Sequence, residues 1–281
     1  MRTRIADQSF DAERALYNAR HTDLENVTFA GPADGESVLK EARDVTLDNC
    51  SFSLRYPLWH TVDFTMRGCR MDEKTRAAIW YAENGVIERC TLGGIKAVRE
   101  CKNIRLSDCE ITSPEFGWKS EGLTLERSVL TAEYPFFDSR RLLLEQLELH
   151  GKYSFQYVAD VEIKNSILDT KDAFWHSKNV TVTDSVVKGE YLGWYSDRLT
   201  LVRCKIIGTQ PLCYCTNLTL IDCETEDTDL SFEYSDVNAD IRGHIISVKN
   251  PKSGRIVADS IGEIIREDAV MPCEAEIRIR K

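Results

Sequence analysis

One series of side chains capable of acid–base chemistry recurs through the middle of the sequence at intervals of 19 residues. The series consists of Lys119, Asp138, Tyr157, His176 and Tyr195. Carboxylate, imidazole and amine groups transfer protons, and phenol groups donate hydrogen bonds. A second series lies four residues earlier and consists of Glu115, Tyr134, Tyr153 and Asp172. The two series predict a polar and aromatic strip on one surface.

This strip has the residue types that carbohydrate chemistry uses. Glycoside hydrolases need two carboxylates at a set separation, and polysaccharide lyases need a base beside a cation. We predict three candidate catalytic residues, Lys119, Asp138 and His176. We predict six candidate ligand-binding residues, Glu115, Tyr134, Tyr153, Tyr157, Asp172 and Tyr195. A plain exposed surface of a repeat protein would carry similar residues, and that interpretation stays open.

The same interval organises the cysteines, most of which occupy one register. Six of the ten are Cys50, Cys69, Cys90, Cys109, Cys204 and Cys223. The intermediate positions hold Ser128, Leu147, Ser166 and Ser185. A fixed period of this length is typical of a solenoid. Counting from Val27, the register predicts about eleven coils of about 19 residues.

Each coil contains segments with the pattern of β-strands. Apolar and polar residues alternate in Val45-Thr46-Leu47 and Leu199-Thr200-Leu201, and Asn or Asp residues recur at the preceding corner. A third apolar stretch, such as Leu192-Gly193-Trp194, follows in each coil. Since parallel connections are right-handed by default, we predict an all-β, single-stranded right-handed parallel β-helix. We expect it to be a three-sheet solenoid.

The ends of the chain depart from the register. We predict an N-terminal cap over 1–13, the β-helix over 14–241, and a C-terminal β-hairpin cap with a tail over 242–281, all in one structural domain. In the third stretch a phenylalanine column precedes a tryptophan column by one residue. The first contains Phe136, Phe155 and Phe174, and the second contains Trp118, Trp175 and Trp194. We favour the tryptophans inside, which leaves the phenylalanines exposed for self-association.

Composition excludes several functional classes. The 36 Lys and Arg residues against 46 Asp and Glu give a net charge of −10, which disfavours nucleic-acid binding. No apolar run is long enough to span a membrane, and the first residues lack the apolar core of a signal peptide. Cysteines facing inward at single positions predict reduced thiols, with no metal and no cofactor. We therefore expect a cytoplasmic protein.

Several longer strings resemble a known family. They are MRGCRMDEKTRAAIWYAENGVI at 66–87, TSPEFGWK at 112–119, DTKDAFWHSKNVTV at 169–182, GEYLGWYS at 189–196 and QPLCYC at 210–215. They resemble the bacterial domain-of-unknown-function family 3737, and the resemblance extends from about residue 10 to residue 265. It implies a cytoplasmic, pectin-lyase-like right-handed β-helix with no assigned activity.

Two functions stay open at this point. The first is a protein that binds or acts on a carbohydrate along the strip, as a glycoside hydrolase or polysaccharide lyase if it is an enzyme. The second is a non-catalytic scaffold that forms homo-oligomers through its aromatic face. The expected partner is a small carbohydrate in the first case and a second copy of the chain in the other. Neither involves nucleic acid or a membrane.

Overall fold

The computed structural model describes residues 1–31 and 36–281, which form strands and turns and no helix. The chain is a right-handed parallel β-helix, as predicted, with about 14 turns of about 19 residues. It divides into two compact units, an N-terminal unit of residues 1–143 and a C-terminal unit of residues 144–281. Nowhere in the described residues is there a helix that could cross a bilayer.

In the N-terminal unit each coil contributes a longer strand to a first side and a shorter strand to a second side. The strands are β1 (Thr3–Ala6), β2 (Ser9–Phe10), β3 (Arg20–Glu25), β4 (Thr28–Ala30), β5 (Arg43–Asp48), β6 (Ser51–Ser53), β7 (Val62–Arg67), β8 (Arg70–Met71), β9 (Ile79–Trp80), β10 (Glu83–Glu88), β11 (Thr91–Leu92), β12 (Val98–Arg99), β13 (Lys102–Ser107), β14 (Glu110–Thr112) and β15 (Glu121–Glu133). The first side pairs β1, β3, β5, β7, β10, β13 and β15 in parallel. The register places Val45 beside Phe64, so the apolar residues of successive coils stack inward.

Strand β16 (Arg140–Lys152) contains the division between the units. The C-terminal unit continues with β17 (Ala159–Lys164), β18 (Ile167–Asp169), β19 (Lys178–Thr183), β20 (Val186–Lys188), β21 (Asp197–Val202), β22 (Lys205–Ile207), β23 (Leu218–Glu226), β24 (Asp236–Lys249), β25 (Ser253–Ile265) and β26 (Glu276–Ile279). Its first side pairs β17, β19, β21, β23, β24, β25 and β26, all in parallel.

The predicted caps are wrong at both ends. Strands β1 and β2 pair in parallel with β3 and β4, so the first coil already begins at Thr3. At the other end β24 and β25 pair in parallel, with Asp236 opposite Ser253, whereas a hairpin would be antiparallel. The interval between these two residues is 17, and this shortened coil hides the 19-residue register in the sequence. The extra coils raise the number of turns above the predicted eleven.

The cysteine register lies in the core, as predicted. In the N-terminal unit Cys50 and Cys69 are 1% and 2% exposed, and the amide of Cys50 donates to Sγ of Cys69 at 3.4 Å. The amide of Cys109 donates in the same way to Oγ of Ser128, at 3.1 Å. At this position a thiol and a hydroxyl both accept a backbone hydrogen bond, which explains why Cys and Ser interchange. All ten cysteines are free.

The third side, which follows the second strand of each coil, differs from the prediction. Within residues 1–31 and 36–281 it forms strands only at β9 and β12, which pair with each other. Elsewhere it is a turn in which alternate residues are left-handed, as at Tyr153, Phe155 and Tyr157 with φ of 58°, 60° and 59°. Bulky residues rarely adopt this conformation. Hydrogen bonds to the next coil compensate, including the one from the Tyr157 amide to the Trp175 carbonyl at 2.9 Å.

These turns reverse the orientation expected for the aromatic columns. Phe136, Phe155 and Phe174 are buried, with exposures of 0%, 0% and 1%. Trp175 is only half-buried. The left-handed residues break the two-residue alternation of a strand, so that Ser154 and Phe155 both lie inside. The expected tryptophan core is wrong, and the phenylalanines are not exposed for self-association.

Candidate functional site

Four aromatic residues of the C-terminal unit form a stacked row on its third side. This ring ladder consists of Tyr157, His176, Tyr195 and Tyr214. Successive ring centroids are 5.0, 5.0 and 4.9 Å apart, with interplanar angles of 13°, 7° and 15°. The register of the parallel strands sets this spacing, because each ring belongs to the next coil. Three of the predicted site residues therefore lie together, and Tyr214 joins them.

The stacking determines what the ring ladder offers to a ligand. The faces of His176 and Tyr195 are covered by the rings on either side of them. Their exposed edges carry the imidazole nitrogen and the phenol hydroxyl, which are hydrogen-bonding groups. The ladder therefore presents a row of polar ring edges rather than open faces for stacking.

Asp172 is the predicted residue with the most unusual environment. The residue is only 9% exposed, and within the described residues no hydrogen bond or ion pair reaches its carboxylate. Burial raises the pKa of Asp172 above its ordinary value of 3.8; Lys171 opposes this shift and Glu190 adds to it. Perturbed carboxyls of this kind concentrate at functional sites.

The backbone around Asp172 is held by a side chain of the preceding coil. The amide Nε2 of Gln156 donates to the backbone carbonyl of Asp172 at 3.2 Å, across 16 residues. Trp175 and Trp194 make the equivalent bond with their indole nitrogens, to Tyr191 at 2.7 Å and to Gln210 at 2.9 Å. We call Gln156, Trp175 and Trp194 the buttress column.

The two tryptophans of the buttress column stack on each other. Their ring centroids are 5.5 Å apart and their planes meet at 6°. Tyr191 stands at 78° to Trp194, so it lies outside the parallel stack. Tyr191 occupies the position of Asp172 one coil later, as its backbone hydrogen bond shows. The coils before and after that of Asp172 hold Tyr153 and Tyr191 at the same repeat position, and Trp175 follows Asp172 on its own coil.

The N-terminal unit contains three of the predicted residues considered next: Glu115 forms an ion pair, and Lys119 and Asp138 are exposed. Glu115 forms an ion pair with Lys96 at 3.0 Å, and that ammonium also lies 5.8 Å from the ring of Trp118. Lys119 and Asp138 lie on successive coils with exposed side chains. Among the described residues no ion pair or hydrogen bond joins Lys119 to Asp138. Glu115 is therefore neutralised by its neighbour.

A second aromatic cluster lies in the N-terminal unit, where two cations contact its rings. Trp59 and Trp80 stack with centroids 5.3 Å apart and planes at 11°. Lys40 Nζ lies 3.8 Å from the Trp59 ring, and the Arg99 guanidinium lies 5.7 Å from the Trp80 ring. Cations on both ends of the stack occupy its outer faces through cation–π attraction. This cluster stabilises the fold through its own stacking and cation–π contacts.

Comparison with known proteins identifies the family. A family model described as a protein of unknown function (DUF3737) matches residues 3–278. The chain belongs to this family. No curated protein sequence matches it.

Solved structures similar to this DUF3737 member are distant from it. The A-module of mannuronan C-5 epimerase AlgE6 from Azotobacter vinelandii is 11% identical, with 98% of this chain and 88% of that chain covered and a TM-score of 0.43. A tailspike protein of E. coli bacteriophage HK620, in complex with a pentasaccharide, is 8% identical, with 98% and 70% covered and a TM-score of 0.46.

Sequence reasoning did not select as site residues three residues that lie close to Asp172 in the repeat of this DUF3737 chain. They are Gln156, Trp175 and Tyr191. All three occupy repeat positions, so the 19-residue interval could have selected them. The contrast between Gln156 and the tryptophans of its column was the available signal. The catalytic roles of Lys119, Asp138 and His176 stay predictions.

Two fully buried cysteines, Cys101 and Cys215, are not reactive groups. Burial raises the pKa of Cys101 to about 12 and that of Cys215 to about 11. A thiol with such a pKa stays protonated near neutrality and is a poor nucleophile. No group of three or more His, Cys, Asp or Glu side chains is arranged to hold a metal within residues 1–31 and 36–281.

Proposed function

We propose that this protein binds a carbohydrate along the third side of its C-terminal unit, with Asp172 as the principal polar contact. The observation that carries the proposal is Asp172, a residue that is only 9% exposed and whose carboxylate receives no ion pair or hydrogen bond from the described residues. Burial of an uncompensated carboxylate costs free energy. A ligand that brings hydrogen-bond donors recovers part of that cost. Sugar hydroxyls are such donors, and two neighbouring hydroxyls match the two oxygens of a carboxylate.

The ring ladder supports a ligand with a repeating structure. Its ring centroids recur at intervals of 5.0, 5.0 and 4.9 Å along the coils, so one polar edge follows another on each coil. A chain of sugar units presents hydroxyls at a regular repeat, so each unit can meet one ring edge. We therefore propose that His176, Tyr195 and Tyr157 contact the ligand through their polar edges. Tyr153 lies one coil before Asp172 and extends the same surface.

Binding is better supported than catalysis. A hydrolytic site needs a second carboxylate at a set separation, and the predicted carboxylate Glu115 is paired with Lys96 at 3.0 Å. The proposal is consequently a carbohydrate-binding protein. We further propose that it acts in the cytoplasm, where its ten free cysteines stay reduced.

The test is a glycan array followed by calorimetric titration of the best oligosaccharide. Asp172→Asn should weaken binding about tenfold or more, since it removes a charge-assisted hydrogen bond. Glu162→Gln is the matched control, because Glu162 lies on the first side and pairs with Lys164 at 3.0 Å. That variant should bind as the wild type does. Failure of every neutral and acidic glycan to bind the wild type would refute the proposal and favour a scaffold.

A further inference from the structure

One coil beyond the ring ladder, the row of aromatic rings continues but no longer stacks in parallel. Tyr234 occupies this next position, because the amide of Tyr214 donates to the carbonyl of the residue before it, Glu233, at 2.7 Å. The ring centroids of Tyr214 and Tyr234 are 5.7 Å apart, and the two planes meet at 42°. Within the ladder successive planes meet at 15° or less. The regular stack therefore ends at Tyr214.

A segment from further along the chain reaches the polar edge of Tyr234. This end segment comprises residues 266–275, which connect β25 to β26. Within it the backbone amide of Val270 donates to the hydroxyl of Tyr234 at 3.3 Å, across 36 residues. Val270 is 82% exposed, so the end segment lies on the solvent side of this ring edge. The hydroxyl that would continue the row of polar edges is therefore bonded within the protein.

Hydrogen bonds fix the end segment in this position. Asn250, which is fully buried, donates from Nδ2 to the carbonyl of Glu267 at 2.8 Å. The guanidinium of Arg266 donates to the carbonyls of Cys273, at 2.6 Å, and Ala275, at 3.0 Å. Both ends of the segment are thus tied to defined partners. The contact between Val270 and Tyr234 is part of this fixed arrangement.

The coil of Tyr234 also holds a charged group that already has a partner. Glu233 forms an ion pair with Lys249 at 2.9 Å, and the Glu233 side chain is only 15% exposed. A ligand that used Glu233 or the Tyr234 hydroxyl would first have to break a bond within the protein. The partner left behind would then lose its hydrogen bond, which opposes binding. The surface that suits a ligand therefore extends along the ladder and stops at Tyr214.

We infer that the ring ladder takes the end of a glycan chain, with the terminal sugar unit at Tyr214 and the end segment as a stop. The inference rests on the proposed carbohydrate binding and adds that the ligand is recognised at a chain terminus. A chain that continued past Tyr214 would meet Val270 and would have to displace it from Tyr234. A chain that ends at Tyr214 makes the ladder contacts without this displacement.

The number of proteins bound to each glycan chain tests the inference. The probes are linear maltodextrin, mannuronate and galacturonate chains, each size-separated into chains of about six and about 24 units. Calorimetric titration of a probe that binds should give one protein per chain at both lengths, with Kd per chain unchanged within about threefold. Several proteins on the longer chain would show that chain interiors bind, which would overturn the stop.

Tyr234→Phe tests whether the ligand uses the polar edge beyond Tyr214. This variant keeps the ring and removes only the hydroxyl, so we expect it to fold and to bind the six-unit probe within about threefold of the wild type. Tyr195→Phe is the matched variant inside the ladder, where loss of the hydroxyl should weaken binding by about two- to tenfold. Equal weakening in the two variants would mean that the ligand extends past Tyr214, and the inference would be wrong.

Removal of the stop should change the number of proteins bound. Deletion of residues 268–271 takes out Val270 and leaves Arg266 and Glu267 with their hydrogen bonds, so more than one protein should bind each 24-unit chain. One protein per chain in the folded deletion variant would contradict the role of the end segment. If the deletion does not fold, the wild-type numbers and Tyr234→Phe decide the matter.

The outcomes also separate this inference from the proposed function. Several wild-type proteins on one long chain would remove the stop and leave carbohydrate binding intact. If none of the six probes binds, chain-end recognition is overturned, and the glycan array decides separately on carbohydrate binding.

Discussion

Phe155 and Phe174 stack face to face inside the C-terminal unit, with ring centroids 5.0 Å apart and planes at 7°. Both residues are left-handed, with φ of 60° and 62°. The conformation costs about 1 kcal/mol or more for each residue. Burial of two large rings offsets this cost, because each removes an apolar side chain from water. Buried phenylalanines therefore stabilise the third side of the coil.

Phe174→Ala should strongly destabilise the protein. Removal of a buried phenylalanine lowers the free energy of unfolding by about 3–5 kcal/mol, through lost burial and the cavity left behind. Urea denaturation followed by circular dichroism measures the change. Lys178→Ala, an exposed position at the start of β19, is the control and should change stability by less than about 0.5 kcal/mol. A loss below about 1 kcal/mol for Phe174→Ala would show that the phenylalanines do not form the core.

The sequence predicted those parts of the fold in which each position of the repeat makes a single demand on its residue type, such as small and buried or polar and exposed. An inward position with little space accepts Cys or Ser, and the structure shows why, since both Cys69 and Ser128 accept an amide hydrogen. Outward threonines such as Thr46 and Thr65 lie side by side in the register. These demands repeat on every coil, so their period and the strands could be found without the structure.

The third side could not be predicted in the same way. Its alternate left-handed residues include phenylalanine and tyrosine, for which that conformation is unusual, so intrinsic propensity gives no indication of it. The shortened coil between Asp236 and Ser253 similarly resembles a hairpin, because local turn signals do not report whether the returning strand is parallel. Both errors concern segments whose conformation is determined by the neighbouring coil.

The candidate site, too, could be predicted only in part from the sequence. Asp172 was predicted as a ligand contact, but the sequence does not distinguish it from Asp138, which recurs in the same kind of series. The structure leaves Asp138 exposed and encloses Asp172. That difference depends on residues of other coils, including Gln156 and its bond to the Asp172 carbonyl. Residue type could be predicted from the repeat, whereas environment required the fold.

The buried carboxyl predicts a specific pH dependence of stability. Burial raises the pKa of Asp172 above the ordinary value of 3.8, so between 3.8 and the raised value the folded state keeps a proton that the unfolded state has released. Stability contributed by this group therefore falls as pH rises through that window. Asp172→Asn does not titrate and lacks the effect.

The melting temperature of Asp172→Asn minus that of the wild type should therefore increase from about pH 3.8 upward and then become constant above the raised pKa. Thermal unfolding at a series of pH values measures this difference. Glu162→Gln, whose carboxylate is exposed beside Lys164, is the matched control and should not show the increase. A difference that decreases with pH would mean that the folded protein stabilises the ionised carboxylate, contrary to the burial seen here.

The cysteines predict a simple labelling pattern. Nine are buried and only Cys273 is half-buried, and burial raises the pKa of Cys109 to about 11. Because a reagent must reach the sulfur atom, a native sample treated with a thiol reagent near pH 8 should show one rapidly modified group, that of Cys273. Denaturant should expose all ten. Cys273→Ser should remove the rapid phase, and rapid labelling that persists in this variant would contradict the buried ladder.

Tyr195 allows the structural and binding roles of the ring ladder to be measured separately. Its ring stacks on His176 at 5.0 Å and on Tyr214 at 4.9 Å. Tyr195→Ala removes both pairs and should lower the free energy of unfolding by about 1–3 kcal/mol. Tyr195→Phe keeps the ring and loses only the hydroxyl, so its stability should stay within about 0.5 kcal/mol of the wild type.

Glycan affinity should depend on the hydroxyl of Tyr195, which both variants lack. The polar edge is the part that the ladder offers to a ligand, so Tyr195→Phe should weaken binding by about two- to tenfold although its stability is unchanged. Calorimetric titration with the best-binding oligosaccharide checks this, and chemical denaturation of the same samples checks stability. Wild-type affinity in Tyr195→Phe, together with the expected destabilisation of Tyr195→Ala, would assign the ladder to stability alone. Binding would then depend on Asp172.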